Sequence, residues 1–113
     1  MSWNAAASTM QKRCYEIHLP LTLNDGRPVD PQMFVLTQDE LVDQFGALSF
    51  HPQPVRGIWV HSGTRYEDEL LRIAVDVDDT PENRQFFATL KPKLRERFQQ
   101  IEIYIRSYLI DIV

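Results

Sequence analysis

The sequence predicts an α+β fold: a ferredoxin-like split βαβ plait, with a four-stranded antiparallel sheet carrying two helices on one face. Three observations carry that reading. Tyr15, Ile17, Leu19, Leu21 and Leu23 alternate with Glu16, His18, Pro20 and Thr22, which is the period of a strand with one buried face. The stretch Val55 to Val77 reads as a β-hairpin, with Ile58 and Val60 as the inward residues of its first arm. Leu71, Ile73, Val75 and Val77 lie at period two on the second arm, and Gly63 falls in the turn. Two helix-start signals then interleave with these strands, and Ile101 to Arg106 closes the chain in alternation, giving the order strand, helix, strand, strand, helix, strand.

Taken in order, the first ten residues lack a hydrophobic period, and residues 1–12 read as a mobile arm before a single domain over 13–113. The first strand ends by Asn24-Asp25-Gly26, its regular part stopping near Leu19 because Pro20 cannot donate to a ladder. Pro28 and Pro31 mark a loop. Thr37-Gln38-Asp39-Glu40 matches a capping box with Thr37 as N-cap, Leu41, Val42, Phe45 and Leu48 follow at helical spacing, and Gly46 falls where a left-handed C-terminal residue ends a short helix. His51-Pro52-Gln53-Pro54 reads as an extended connector into the hairpin. Thr80-Pro81-Glu82 caps a second helix whose apolar stripe of Phe86, Phe87, Leu90, Leu94 and Phe98 stays in phase through Pro92, so one kinked helix is expected. The last strand covers Ile101 to Arg106, with an apolar tail from Tyr108 to Val113.

At 113 residues with 43% hydrophobic and 25% charged residues, the chain can bury a core without staples. Its formal charge of −4 disfavours a nucleic-acid partner, and Lys91, Lys93, Arg95 and Arg97 read as a solvated helix face. Cys14 is the only cysteine, so an intramolecular disulfide is impossible and a cytoplasmic setting is expected. From these residues neither a signal peptide nor a membrane span is expected.

The pattern Phe45-Gly46-Ala47-Leu48, Gly57-Ile58-Trp59, Gly63 with Tyr66-Glu67-Asp68, and Arg97-Phe98-Gln99-Gln100 resembles a family of small uncharacterised bacterial ferredoxin-like proteins, over roughly residues 15 to 113. The resemblance implies the same fold in a bacterial cytoplasm and transfers no activity.

Chemistry is expected on the sheet face that the helices leave open. If Ile17, Ile73, Val75, Ile103 and Ile105 face the helices, then Glu16, His18, Arg72, Asp76, Glu102, Tyr104 and Arg106 point the other way, joined by Trp59 and His61. His18, His61 and Asp76 are the catalytic candidates, with His18 as proton carrier and Asp76 or Glu16 as its orienter. Glu16, Trp59, Arg72, Tyr104 and Arg106 are the ligand-binding candidates. The three histidines lie on separate segments without a cysteine partner, so neither a metal site nor a cofactor is expected. Asp76-Val77-Asp78-Asp79-Thr80 resembles the nucleophile motif of haloacid-dehalogenase-type phosphatases, but its place at the end of a hairpin arm favours a helix N-terminus instead.

These features lead to a non-catalytic ligand-binding or protein-interaction module acting as a homodimer, with the apolar tail or the open faces buried between copies. The alternative is a cofactor-free enzyme on a small polar substrate in an open-face cavity, monooxygenase-like or isomerase-like; phosphatase-like chemistry is a distant third.

Overall fold

The computed structural model describes residues 10–113; the expected N-terminal arm lies largely outside the described residues. Strand β1 runs Lys12–Pro20, helix α1 Pro31–Phe45, β2 Ser49–His61, β3 Thr64–Asp78, α2 Pro81–Arg97 and β4 Tyr104–Ile110. All four strands form one antiparallel sheet in the order β2-β3-β1-β4, the predicted plait, with β1 and β3 at its centre.

The inward side chains of β1 and β3 are Tyr15, Ile17, Leu19, Ile73, Val75 and Val77. They pack against Leu41 of α1 and Phe87, Leu90 and Leu94 of α2, with Phe98 and Ile103 closing the end of the core. Phe87 is the hub: Tyr15 stacks on it with ring centroids 3.9 Å apart, and Phe45 of α1 stacks at 5.4 Å. Such parallel aromatic contacts fix the layer spacing as well as removing apolar area from water.

Helix α1 begins six residues before the expected capping box. Asp30 is the N-cap, accepting from the Gln32 backbone N–H, and Pro31 takes the first helical position, where its missing N–H costs nothing. Thr37 is fully buried inside the helix. Its hydroxyl donates to the Met33 carbonyl and accepts from Arg97 Nη1 at 2.9 Å, while Glu40 pairs with the same guanidinium at 3.3 Å. The two residues that imitate a cap therefore clamp α1 to α2, and Arg97 is not part of a solvated basic face. Gly46 ends the helix in the left-handed conformation, as expected.

The hairpin is longer than its sequence signal. Its turn is Ser62-Gly63, both at positive φ (50° and 78°), the geometry of a two-residue type I′ turn. The segment His51-Pro52-Gln53-Pro54 lies inside β2 rather than before it. The pairing register shifts between His51 and Val55, so the edge strand absorbs its two prolines in an irregularity. Ile58 and Val60 are not core residues: they are 55% and 68% exposed because the hairpin projects beyond the helical layer of a molecule measuring 46 × 28 × 25 Å.

Helix α2 is one continuous helix containing Pro92, capped by Thr80, whose hydroxyl accepts from the Asn83 backbone N–H. Strand β4 starts three residues later than expected. Gln99, at φ 51°, turns the chain after α2, and Ile103 is consumed as a buried plug before pairing begins at Tyr104. Asp78 pairs with Lys12 and Asp79 with Arg13, so the Asp-rich end of β3 is tied into ion pairs beside a helix start. Among the described residues, no helix is long and apolar enough to cross a membrane.

Candidate functional site

The register orders the open face into cross-strand rows, because directly opposed residues of antiparallel strands project to the same side. Tyr108, Cys14 and Asp76 form one row. Arg106, Glu16 and Ala74 form the next. Tyr104, His18, Arg72 and His51 form the third, and Pro20, Leu70 and Val55 follow toward the hairpin.

Glu16 is the electrostatic centre. Its buried carboxylate Oε1 lies 2.7 Å from His18 Nε2 and accepts from Arg106 Nη2 at 3.0 Å. Burial alone would raise its pKa, but the His18 and Arg106 contacts outweigh it and hold the carboxyl below its ordinary range. Arg106 is shifted upward in turn, chiefly by the field of Glu16. The Tyr108 hydroxyl, 3.5 Å from Glu16 Oε2, is pushed up to about 12 by its contact with Cys14 and then by burial. Desolvation raises the Cys14 thiol, which therefore stays protonated and unreactive at neutral pH.

His18, oriented by Glu16 and packed edge-on against Tyr104 with centroids 5.1 Å apart, opens into a cavity of about 440 Å³. That is the size of a small-molecule site. Pro20, Val55, Gly57, Ile58 and Leu70 supply apolar walls, and Trp59 and Tyr104 supply aromatic ones. Gly57 keeps one side open, since a Cβ there would come within 2.9 Å of Leu70 Cδ1. Trp59 is fixed on two sides: its indole N–H donates to Asp68 Oδ2 at 2.8 Å, and its ring stacks on Tyr66 at 4.5 Å.

Asp68, Glu102 and Gln100 complete the lining, which includes neither lysine nor arginine. Gln100 is locked by donating to the Thr22 and Phe98 carbonyls. Glu102 accepts from the Ile103 backbone N–H and pairs with Lys91 at 3.3 Å. Despite the opposing effect of burial, these contacts keep its carboxyl below the ordinary range and so ionised at neutral pH. The full charges on this apolar, aromatic-walled lining are the carboxylates of Asp68 and Glu102, the latter paired with Lys91.

The sequence-predicted residues divide sharply. His18, Trp59 and Tyr104 line the cavity; Glu16 holds His18 from behind, and Arg106 holds Glu16. Arg72 stands beside His18 in its row without lining the cavity, and its buried Nε has no hydrogen-bond partner among the described residues. Asp76 is not an orienter of His18: the register sets it opposite Cys14, four residues along the strand from Arg72, or about 13 Å. His61 sits at the hairpin tip opposite Thr64, outside the cavity. Asp68 and Gln100 are the polar lining residues that sequence reasoning missed, along with the apolar walls of Pro20, Val55, Gly57, Ile58 and Leu70. Continuing the alternation of β3 backward from Arg72 and Leu70 would have found Asp68; the buried seat of Gln100 depends on the turn after α2 and has no sequence signal.

Neither a family model nor a curated protein matches the chain. Solved structures do match in fold. A phage SAM lyase in complex with S-methyl-5'-thioadenosine superposes with a TM-score of 0.65 at 18% identity, covering 88% of this chain and 85% of that one. A phage SAM lyase in the apo state gives 0.63 at 18% identity, with 88% and 81% covered.

Proposed function

We propose that this protein binds a sulfonium nucleoside of the S-adenosylmethionine type in the open-face cavity and breaks one of its carbon–sulfur bonds without a cofactor. The observation that carries the reading is the cavity itself, aromatic-walled and lined by the carboxylates of Asp68 and of Glu102, the latter shared with Lys91. A sulfonium is a permanent cation, and aromatic faces and carboxylates attract such a charge. The shared fold with a phage SAM lyase seen with S-methyl-5'-thioadenosine supports the same substrate class.

The chemistry asks little of the protein. When the bond breaks, its electron pair stays on sulfur, and the leaving group is a neutral thioether that needs no acid. The carbon fragment is completed by its own carboxylate or by loss of a neighbouring proton. The chain's part is to hold the adenosyl group between apolar walls, exclude water, and keep His18 in one orientation through Glu16, facing the cavity where it can take a proton. Incubation of the purified protein with S-adenosylmethionine, followed by mass spectrometry, tests this. S-methyl-5'-thioadenosine should accumulate with enzyme and fail to do so with Asp68→Asn/Glu102→Gln; background-level product with wild type overturns the reading.

A second reading has its own support. Tyr108 and Leu109 on edge strand β4, with Ile112 and Val113 beyond it, are exposed apolar residues of the kind that self-association covers, as expected for a homodimeric binding module. Light scattering at tens of micromolar reads this directly: a dimer supports it and a monomer removes it.

A further inference from the structure

A second cavity, of about 180 Å³, lies on the other side of edge strand β4, where α2 passes over it. It is lined by Arg84, Phe87, Ala88 and Lys91 of α2, by Ile105, Arg106 and Ser107 of β4, and by Tyr15 of β1. Arg84, Ala88 and Lys91 follow one another at i, i+4 and i+7 on one stripe of the helix, so the two cations overhang the small side chain of Ala88. Below them, Tyr15 and Ser107 are directly opposed across β1 and β4.

The groups present are donors. Arg84 has no acidic partner among the described residues. The Ser107 hydroxyl accepts from Arg13 Nη1 at 3.0 Å, which leaves its own hydrogen to give. Tyr15 is only 4% exposed, and its buried hydroxyl has no hydrogen-bond partner among the described residues. A buried hydroxyl left unpaired costs free energy, and an ordered water or a bound anion would supply the missing acceptor. No carboxylate lines the cavity, although Lys91 reaches Glu102 outside it and the Arg106 guanidinium is held by Glu16 on the opposite sheet face. The space of about 180 Å³ has room for a tetrahedral oxyanion.

We propose that this cavity is an oxyanion site for a phosphate group, held by Arg84 and Lys91 from the helix and by the Tyr15 and Ser107 hydroxyls from the sheet. Around one small volume stand the Arg84 guanidinium, Lys91 shared with Glu102, and two hydroxyls, an arrangement suited to a phosphate oxygen set rather than a planar ring.

The test is a nuclear magnetic resonance titration of the full chain with inorganic phosphate, and separately with phenyl phosphate, at fixed ionic strength set by chloride. Saturable shifts at the Arg84, Ala88 and Ser107 amides are expected. Arg84→Gln should weaken binding about tenfold, and Tyr15→Phe, which keeps the stack on Phe87, about threefold to fivefold. Tighter binding of phenyl phosphate assigns the site to a phosphate ester, and equal or tighter binding of inorganic phosphate assigns it to the free ion. Shifts that rise linearly for both probes, or saturable binding that both variants leave unchanged, overturn the proposal.

Discussion

These two cavities lie on opposite faces of one sheet and differ in size, lining and charge. The open-face cavity is large, aromatic and charged only by Asp68 and Glu102; the one under α2 is small, hydroxyl-floored and charged by Arg84 and Lys91, with Arg106 at its rim. A formal charge of −4 on 113 residues describes neither. The difference arises from which face each alternating residue takes: on β4, Tyr104 serves one side while Ile105 and Ser107 serve the other. A single ion pair joins the two, since Lys91 lines the basic cavity and its partner Glu102 lines the acidic one, 3.3 Å away.

Removing the charges of the acidic cavity should have the largest effect. Asp68→Asn/Glu102→Gln is expected to weaken S-adenosylmethionine about tenfold to a hundredfold while changing S-methyl-5'-thioadenosine, which is neutral, less than about threefold, as calorimetry would show. Arg84→Glu on the other side should leave both affinities within about twofold. Equal losses for the two nucleosides would mean that the carboxylates shape the cavity without reading charge.

Next comes Gly57→Val, which drives side-chain atoms toward Leu70 and into the cavity. Binding of both nucleosides should fall about tenfold, while thermal unfolding shifts by only a few degrees because Leu70 can rotate away.

Stability separates the faces as well. Glu16→Gln strips the charge from the group that holds His18 and Arg106, and should cost about 1–2 kcal/mol at pH 7 by urea unfolding. The pH dependence has a definite sign. Glu16 titrates below its ordinary 4.5 in the folded chain, so its stabilisation is complete above that value and is lost as pH falls through the folded pKa. Wild type should therefore lose its advantage over Glu16→Gln on acidification below about pH 4.5. A constant difference down to about pH 3 would contradict the assignment.

The smallest effect tests the link between the cavities. Phosphate in the basic cavity draws Lys91 from Glu102 and should tighten sulfonium binding by about twofold to threefold, with the reciprocal change in phosphate affinity that linkage requires. Lys91→Met should abolish the coupling.

Much of this was legible in the residues themselves. Period-two alternation set β1 and β3 at the centre of the sheet, and the Thr80-Pro81 signal located α2, because a cap and a proline act on the backbone next to them. Parity alone put Glu16, His18, Trp59 and Tyr104 on one face. What failed was whatever a distant partner decides. Thr37 and Glu40 satisfy a capping pattern, yet answer to Arg97, 57 to 60 residues away. Ile58 and Val60 alternate like core residues but outrun the helices meant to cover them. Asp76 shares a face with His18, and only the register reveals that Glu16 is the one in reach.

The central claim, that the acidic open-face cavity holds the nucleoside, is tested most directly by the Trp59 indole N–H, whose resonance reports its hydrogen bond to Asp68 at the cavity wall. Titrating S-methyl-5'-thioadenosine into the labelled chain should shift that signal saturably, together with the amides of Gly57 and Gln100, while Ala88 and Ser107 stay still. An unmoved indole signal at saturating nucleoside, or shifts confined to Ala88 and Ser107, would contradict it.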